Sequence, residues 1–184
     1  MCAAGGPNAG GRSSPVTGLR LRSLRFGDEA AFRAAHEAMA VDGFEFGLGY
    51  EAGMPWSAYL EALDSQRRGV LPPGRLVPAT FLVADVGGTL VGRSSIRHEL
   101  NDFLAREGGH IGYGVLREHR GRGYATEMLR QSLVVARAVG VDRVLVTCDD
   151  DNPASARVIE RCGGVLESTV PRDDGPALRR YWIS

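Results

Sequence analysis

Hydrophobic positions recur along the 184-residue chain with two periods, and the changes between the periods predict an order of strands and helices. Apolar runs or alternations of roughly four to eight residues are typical of strands, whereas apolar residues every three or four positions are typical of helices. Strands are predicted at 19–26, 79–85, 89–98, 109–116 and 143–148, with two more between 165 and 183. Helices are predicted after Asp28 and at 57–67, 123–139 and 152–162.

Two of these helices have clear apolar stripes. The stripe of the first helix consists of Phe32, Ala35, His36 and Met39. Asp28 precedes this helix and is predicted to cap it, because a carboxylate there can accept hydrogen bonds from the free N–H groups of the first turn. His36 lies on the stripe and is predicted to be a packed side chain. The third helix has its stripe between 125 and 139, and Gly140 ends it.

The order of elements predicts one mixed α/β domain of about seven strands and about four helices. Its first half reads as a meander, and its second half contains a strand–helix–strand unit. Residues 1–17 are rich in Gly, Ser, Pro and Ala and have no apolar period, so they are predicted to be a disordered leader. The domain itself is predicted to span 18–184, a length that one hydrophobic core can serve.

Composition excludes several classes of protein. The formal net charge is +0, so no nucleic-acid or membrane partner is expected. All 22 basic residues are Arg. No apolar run approaches the ~18 residues of a membrane span, and the first 18 residues have no charged end followed by an apolar stretch, so no secretory signal and a cytoplasmic location are expected. The three cysteines, Cys2, Cys148 and Cys162, have no paired spacing. Neither a disulfide framework nor a metal site is therefore predicted.

The segment 117–129, "REHRGRGYATEML", places two glycines and several basic residues where the third helix begins. A helix start exposes about four N–H groups without partners and carries roughly half a positive charge. Gly121 and Gly123 allow the backbone to approach a ligand closely, while Arg120 and Arg122 add charge. The pattern indicates a phosphate site, and a solvated basic turn is the alternative.

The spacing of Arg120, Gly123 and Ala125 resembles the R/Q-x-x-G-x-G/A signature of the acetyl-CoA loop in the GNAT family of N-acetyltransferases. A nucleotide P-loop is excluded because its Lys-Ser/Thr pair is missing. The strand "GHIGYGVL" before the motif and the segment "RVLVTCDDDNPASARVIERCGG" after it also follow the family's order. The resemblance extends from Leu19 to the C-terminus, and its specific part is 112–163.

The resemblance implies the GNAT fold, with a mostly antiparallel central sheet, and acetyl-CoA as cosubstrate without a metal. By the same resemblance, backbone groups of Val115, Leu116 and Arg117 would pair with the pantetheine arm. The coenzyme pyrophosphate would be held by the loop residues Arg120, Gly121, Arg122, Gly123, Tyr124 and Ala125. Asn152 would hold the pantetheine or acetyl region, and its position also suits a helix N-cap, a role compatible with the first.

The implied reaction transfers acetyl directly from the thioester to an amine. A backbone N–H near Val115 is the expected donor to the developing oxyanion. Many family members carry a Tyr seven residues after the helix-four Asn, which protonates the thiolate, but Ile159 stands there in this chain. The thiolate would then take its proton from Ser155, from water or from the product ammonium.

His110 is the candidate general base, because relatives place a Glu nearby on the same strand and a histidine titrates near neutrality. Glu99 and His98 are rival candidates. A packing role is the alternative for each of the three. Tyr113, on the same strand as His110, is predicted to belong to the core or to the wall of the acceptor site.

The acceptor would be a small-molecule amine or a protein N-terminus, chosen by the loops at 42–56 and 169–178. These loops contain acidic residues that could attract a cationic amine: Asp42, Glu45, Glu51, Asp173 and Asp174. A catalytically inactive module that binds acyl-CoA is the alternative to an enzyme. An anion-binding or nucleic-acid-binding domain is disfavoured by the zero net charge. A monomer or homodimer is expected.

Overall fold

The computed structural model describes residues 18–184 apart from positions 73, 75 and 174, so the predicted leader at 1–17 lies outside the described residues. The strands are β1 (Leu19–Arg22), β2 (Ala79–Val86), β3 (Thr89–Arg97), β4 (Ile111–Val115), β5 (Val144–Asp149), β6 (Val165–Val170) and β7 (Leu178–Ile183). The α-helices are α1 (Glu29–Ala40), α2 (Trp56–Arg67), α3 (Tyr124–Ala138) and α4 (Pro153–Arg161). Each predicted strand and helix is present, with its ends shifted by a few residues.

The strands form two antiparallel sheets. The sheets diverge from a contact between His110 and Leu145, which forms the joint between them. The first sheet has the order β1–β2–β3–β4, and the second has the order β5–β7–β6. One helix, α3, connects β4 to β5, a crossover that makes the two strands parallel neighbours. The backbone N–H of His110, just before β4, donates to the Leu145 carbonyl at 2.7 Å. In the described part of the chain no other backbone hydrogen bond joins the two strands.

Helices cover both faces of the first sheet because successive side chains of a strand point to opposite sides. Phe81 and Val83 of β2 pack against α1 and α2, in a cluster that includes Phe32 and Tyr59. The intervening Leu82 packs against α3 and the start of β5. The continuous apolar runs of β2 and β3 are thus explained by burial on both faces. His36 is packed as predicted, and its Nδ1 accepts the Gly47 N–H at 3.0 Å.

Two sequence-based predictions differ from the structure in the segment before α1. The first strand ends at Arg22 rather than near position 26. Asp28 occupies the residue before α1, but its carboxylate makes no hydrogen bond to the helix and the capping prediction was wrong. Instead it accepts from Arg22 at 2.6 Å and from the Arg25 N–H at 2.7 Å. The ion pair with Arg22 holds the pKa of Asp28 below its usual value.

Candidate active site

A cavity of about 850 Å³ opens where β4 and β5 diverge. Gly114 and Val115 line it from β4, and Asp149 lines it from the end of β5. The N-terminal ends of α3 and α4 and the loop after α1 complete the wall. Three segments with free or partly free backbone groups therefore converge on one cavity.

The backbone of β4 presents hydrogen-bonding groups to this cavity. The Leu116 N–H donates to Val91 at 2.9 Å, and the His110 carbonyl accepts from Arg97 at 2.8 Å, so the even-numbered residues of β4 face β3. In an antiparallel ladder the residues between them face the other way, which directs the backbone groups of Tyr113 and Val115 into the cleft. Consistent with this, the Val115 carbonyl accepts from Arg120 Nε at 3.0 Å. An extended ligand could pair with β4 here as an added strand.

The start of α3 forms the second wall of the cavity. Gly121 and Gly123 have φ angles of 76° and 81°, in the left-handed region where a glycine is favoured. Gly123 is the N-cap, and in the described chain no side chain bonds to the free N–H groups of the first turn. These N–H groups remain available to a ligand, and an anion is favoured by the helix dipole.

Basic side chains flank the helix start, and two of them are already paired. Arg117 and Arg120 both bond to the carboxylate of Asp42 in the loop after α1, with Arg120 at 2.8 Å. These two contacts, Arg117 first, lower the pKa of Asp42 below its usual value. Arg122 donates to the Glu118 carbonyl at 3.2 Å. The loop after α1 is thus tied to the loop before α3.

The start of α4 forms the third wall. Asn152 is the N-cap, and its Oδ1 accepts the Ser155 N–H at 3.0 Å, so the capping role that the sequence indicated is present. Pro153 occupies the first position of the helix, where no N–H is needed. The backbone N–H of Asn152 donates to the Asp149 carbonyl at 3.0 Å, whereas its side-chain Nδ2 has no partner within the described chain and can donate into the cavity, which Asn152 also lines.

A pair of hydroxyl groups spans the cleft between β4 and α4. The Tyr113 phenol lies 3.0 Å from Ser155 Oγ, and both residues line the cavity. Burial raises the pKa of Tyr113, so the phenol stays protonated. Cys148 lies nearby on β5, and burial raises the pKa of its thiol to about 11, as expected of a buried cysteine. Sequence reasoning proposed Ser155 but gave no sign of its contact with Tyr113.

The other predicted catalytic residues lie away from the cavity lining. The His110 side chain is 8% exposed, and its Nδ1 accepts the Leu145 N–H at 2.9 Å. Because Nδ1 is the acceptor, the neutral ring carries its proton on Nε2, which leaves no basic nitrogen free. Burial first, and Arg97 second, lower the pKa of His110. Glu99 is exposed in the loop after β3, and His98 bonds to Thr80 Oγ1 at 2.9 Å.

Two of the acidic residues expected near the acceptor are bonded to other groups of the protein. Asp42 pairs with the two arginines, and the Glu45 carboxylate accepts the Gly49 N–H at 3.0 Å. Asp174 lies outside the described residues. Sequence reasoning also missed the contact of Asp42 with the helix start, because the two residues of the pair at 42 and 120 are distant in the chain.

Nothing in the described chain meets the requirements of a membrane-crossing helix.

Comparison with known proteins assigns the class. The sequence profile of the acetyltransferase (GNAT) domain matches residues 19–165. The chain therefore belongs to the GNAT acetyltransferase family, and the predicted family and mixed α/β fold are confirmed. No curated protein sequence matches the chain closely enough to count as a relative.

Solved structures share this fold, and two of the following three contain the coenzyme. Mycobacterium smegmatis RimJ in complex with CoA-disulfide has a TM-score of 0.68 and 24% identity, over 92% of this chain and 83% of that one. The protein yncA from Salmonella typhimurium, solved with its cofactor acetyl-CoA, has a TM-score of 0.61 and 15% identity, over 91% of this chain and 94% of that one. A spermidine N-acetyltransferase SpeG chimera from Vibrio cholerae and hSSAT has a TM-score of 0.58 and 19% identity, over 91% and 95%.

Proposed function

We propose that this protein is a cytoplasmic N-acetyltransferase that moves acetyl from acetyl-CoA directly to the amine of a small molecule or a protein N-terminus. One observation carries the proposal: the free backbone edge of β4 and the uncapped, glycine-rich start of α3 open into the same cavity. A long ligand with an extended arm at one end and a pyrophosphate at the other suits this arrangement, and acetyl-CoA has that form.

Each part of the coenzyme has a counterpart in the cavity. The edge of β4 from Val115 to Arg117 would pair with the pantetheine arm. The N–H groups from Gly121 to Ala125 would surround the pyrophosphate, and Arg120 and Arg122 would add positive charge. The side-chain N–H of Asn152 would donate to the pantetheine arm while its Oδ1 continues to cap α4. All of these residues lie on or beside the cavity wall described above.

Acetyl transfer requires an oxyanion donor and a proton for the leaving thiolate. The N–H of Val115 faces the cleft and would donate to the thioester oxygen as negative charge develops there. Ser155 Oγ would supply a proton to the thiolate, while the Tyr113 phenol, 3.0 Å away, stays protonated and orients the Ser155 hydroxyl. The proton that the attacking amine loses would restore Ser155 through solvent. This hydroxyl pair takes the place of the family Tyr, whose position is occupied by the buried Ile159.

We propose a positioning role for His110 in place of the base role suggested by the sequence. Its backbone N–H donates to the Leu145 carbonyl and its ring nitrogen accepts the Leu145 N–H, so within the described chain His110 alone holds the starts of β4 and β5 together at the joint. The width of the cleft depends on that joint. Glu99, exposed beyond β3, would take up the amine proton only through solvent.

Proteins of the same fold support the two proposed classes of acceptor. RimL, a ribosomal L7/L12 alpha-N-protein acetyltransferase solved with coenzyme A, has a TM-score of 0.65 and 15% identity, over 91% of this chain and 94% of that one. The SpeG chimera acts on spermidine, a small-molecule amine. These two acceptor classes are the ones proposed here, with the protein acting as a monomer or homodimer.

Thermal unfolding with and without acetyl-CoA tests the proposal, with ATP as the control for phosphate alone. Ligand at ~100 times its dissociation constant should add roughly 2.7 kcal/mol, a rise in Tm of about 5 to 10 °C for a domain of this size. No shift specific to acetyl-CoA would refute coenzyme binding. An amine screen followed by thiol release then separates the enzyme from an inactive acyl-CoA-binding module, because only the enzyme turns over.

A further inference from the structure

Asp149, at the end of β5, is a carboxylate on the wall of the cavity. Among the described residues the cavity is lined by two carboxylates, those of Asp42 and Asp149. Both oxygens of Asp42 are bonded to arginines, whereas Asp149 bonds through Oδ1 alone, to Arg172 in the loop after β6. The Asp149 Oδ2 atom has no partner in the part of the chain that the structure describes, and the side chain is 46% exposed. Asp149 therefore has a carboxylate oxygen available to a ligand.

The side chain of Asp149 points to the face of the cleft opposite α3 and α4. Val146 and Cys148 of β5 pack in the core cluster that contains residues of both helices. Because successive side chains of a strand point to opposite sides, Thr147 and Asp149 point away from the two helices. In keeping with this direction, the Thr147 hydroxyl donates to the Glu107 carbonyl at 2.7 Å, in the segment between β3 and β4.

The loop after α1 lies on the same face of the cleft. Tyr113 of β4 packs against the core cluster of α3 and α4, so the next residue, Gly114, turns its side-chain position to the other face. An added Cβ at Gly114 would lie 2.5 Å from Phe44 Cζ and 3.0 Å from Met39 Cε. Phe44, Met39 and Asp149 all line the cavity. On this face the cavity is therefore bounded by apolar side chains near β4 and by a carboxylate on β5.

Gly114 and Asp149 stand at the same level of the cleft. The joint between the two strands is the contact of His110 with Leu145, and Gly114 and Asp149 each lie four positions beyond it. At about 3.3 Å per residue, both are roughly 13 Å along their strands from the joint. Val115, whose N–H is the proposed oxyanion donor, directly follows Gly114. A thioester carbonyl bonded to that N–H would have Asp149 across the cleft.

We propose that Asp149 receives the acceptor amine, which enters from the face bounded by Phe44. The inference rests on the proposed acetyltransferase function. As the nitrogen attacks the thioester carbon, a C–N bond forms and positive charge develops on the nitrogen. Asp149 Oδ2 accepts a hydrogen bond from that nitrogen and stabilises the charge, since hydrogen bonds to ionised groups are roughly twice as strong as neutral ones. The proton then passes to water, while the C–S bond breaks and the thiolate takes a proton from Ser155.

Two coenzyme analogues test the position of Asp149 without an acceptor. S-(2-aminoethyl)-coenzyme A carries an ammonium group close to the place of the attacking nitrogen, and S-propyl-coenzyme A has the same shape without the charge. In calorimetric titrations we expect the charged analogue to bind about 10-fold more tightly, the low end of the range for a hydrogen bond to a charged group, because Asp149 is half-exposed. Asp149→Asn should bring this ratio close to one. Asp150→Asn, at the next residue, which pairs with Arg179 and does not line the cavity, should leave the ratio unchanged.

The outcomes separate the inference from the function on which it rests. If both analogues bind the parent protein with equal affinity, Asp149 does not face the reacting nitrogen and the proposal is overturned. If neither analogue binds and acetyl-CoA does not raise the Tm, the proposed function fails instead.

Turnover gives a second readout of the same proposal. In an amine screen that includes spermidine and the amidated tripeptide Ser-Ala-Ala, Asp149→Asn should lower kcat/KM roughly 10- to 100-fold for the amines that the parent enzyme acetylates. The rise in Tm with acetyl-CoA should stay the same in this variant, and Asp150→Asn should retain the kcat/KM of the parent. A parental kcat/KM in Asp149→Asn would overturn the role of Asp149.

Discussion

The proposed coenzyme side and the proposed acceptor side of the cavity offer a ligand different groups. On the coenzyme side, backbone N–H groups at the start of α3 and along β4 are free, and glycines keep them accessible. On the proposed acceptor side, the wall is formed by side chains of the loop after α1, such as Asp42 and Phe44. Backbone recognition depends on local conformation, whereas side-chain recognition depends on residues brought together by the fold. The coenzyme side is therefore readable from sequence, and the acceptor side is not.

The largest effect is expected at the coenzyme loop. Gly123→Asp would place a carboxylate where the pyrophosphate is proposed to lie, at a left-handed position. We expect acetyl-CoA affinity to fall by at least about 100-fold, which corresponds to roughly 2.7 kcal/mol. Calorimetric titration measures this directly.

Two control variants separate charge from backbone strain. Gly123→Asn adds a side chain of similar shape without the charge and should lose less affinity than Gly123→Asp. Gly140→Asp makes the same change at the other end of α3, where φ is also positive at 91°, and should leave affinity unchanged. Equal losses for all three variants would indicate general destabilisation rather than a phosphate site.

The second effect is expected at the joint that sets the cleft. His110→Ala removes the acceptor for the Leu145 N–H, and a buried donor left unpaired costs about 1–3 kcal/mol of stability. Misplacement of the cleft walls should lower kcat/KM by roughly 10- to 100-fold. In His110→Asn an amide oxygen can replace Nδ1, so activity should recover. If His110→Asn is as inactive as His110→Ala across the pH range, the base role predicted from the sequence is favoured.

The same residue should make stability depend on pH. Burial, and secondarily Arg97, lower the pKa of folded His110, so the unfolded chain binds more protons as the pH falls below the ordinary value of about 6.5. The free energy of unfolding should therefore decrease between pH 7 and pH 5.5, and His110→Asn should decrease less steeply. The pKa of His98 is also lowered by burial, so His98→Asn is the matched comparison for assigning the slope. Identical slopes in parent and His110→Asn would remove His110 as the cause.

The elements themselves were predictable because their signals are local. The apolar stripe of α1, the alternation or continuous runs of the strands and the glycines around α3 each depend on nearby residues. The separation of β5, β7 and β6 into a second sheet depends on pairing between distant strands. In the same way, the contact of Asp42 with Arg120 joins residues 78 positions apart.

Arg93 shows most clearly what sequence alone could not provide. In "TLVGRSSIR" it appears as one charged residue in a strand, and such a residue is usually placed on a solvated face. Only the packing of α1, its following loop and β4 over that face reveals a buried, unpaired guanidinium. The misassignment of Asp28 has a different origin, since its partner Arg22 is only six residues away, at the end of a strand that the sequence pattern had extended to position 26.

A smaller effect is expected where the two sides meet, at the hydroxyl pair of Ser155 and Tyr113. If Ser155 protonates the thiolate, Ser155→Ala should lower kcat about 10-fold. This loss is smaller than the loss usually caused by removing a general acid, because water can substitute in part. Coenzyme affinity should stay unchanged, since the N–H of residue 155 still bonds to Asn152. Tyr113→Phe tests whether the phenol orients Ser155, because it removes the Tyr113 hydroxyl alone. Unchanged kcat in both variants would assign the proton to water or to the product ammonium.

The smallest expected effect belongs to Asp42, the residue that connects the two sides. It lies on the acceptor-side loop but pairs with Arg117 and Arg120 of the coenzyme loop. Such exposed pairs contribute little to stability, and the carboxylate repels an approaching pyrophosphate. Asp42→Asn should therefore strengthen acetyl-CoA binding by about threefold at low salt and less at high salt. Titrations at two salt concentrations measure this, with Asp64→Asn, in another exposed arginine pair on α2, as the control. Weaker binding by Asp42→Asn would mean that the carboxylate holds Arg120 in place for the coenzyme, and that the acceptor loop contributes to the coenzyme site.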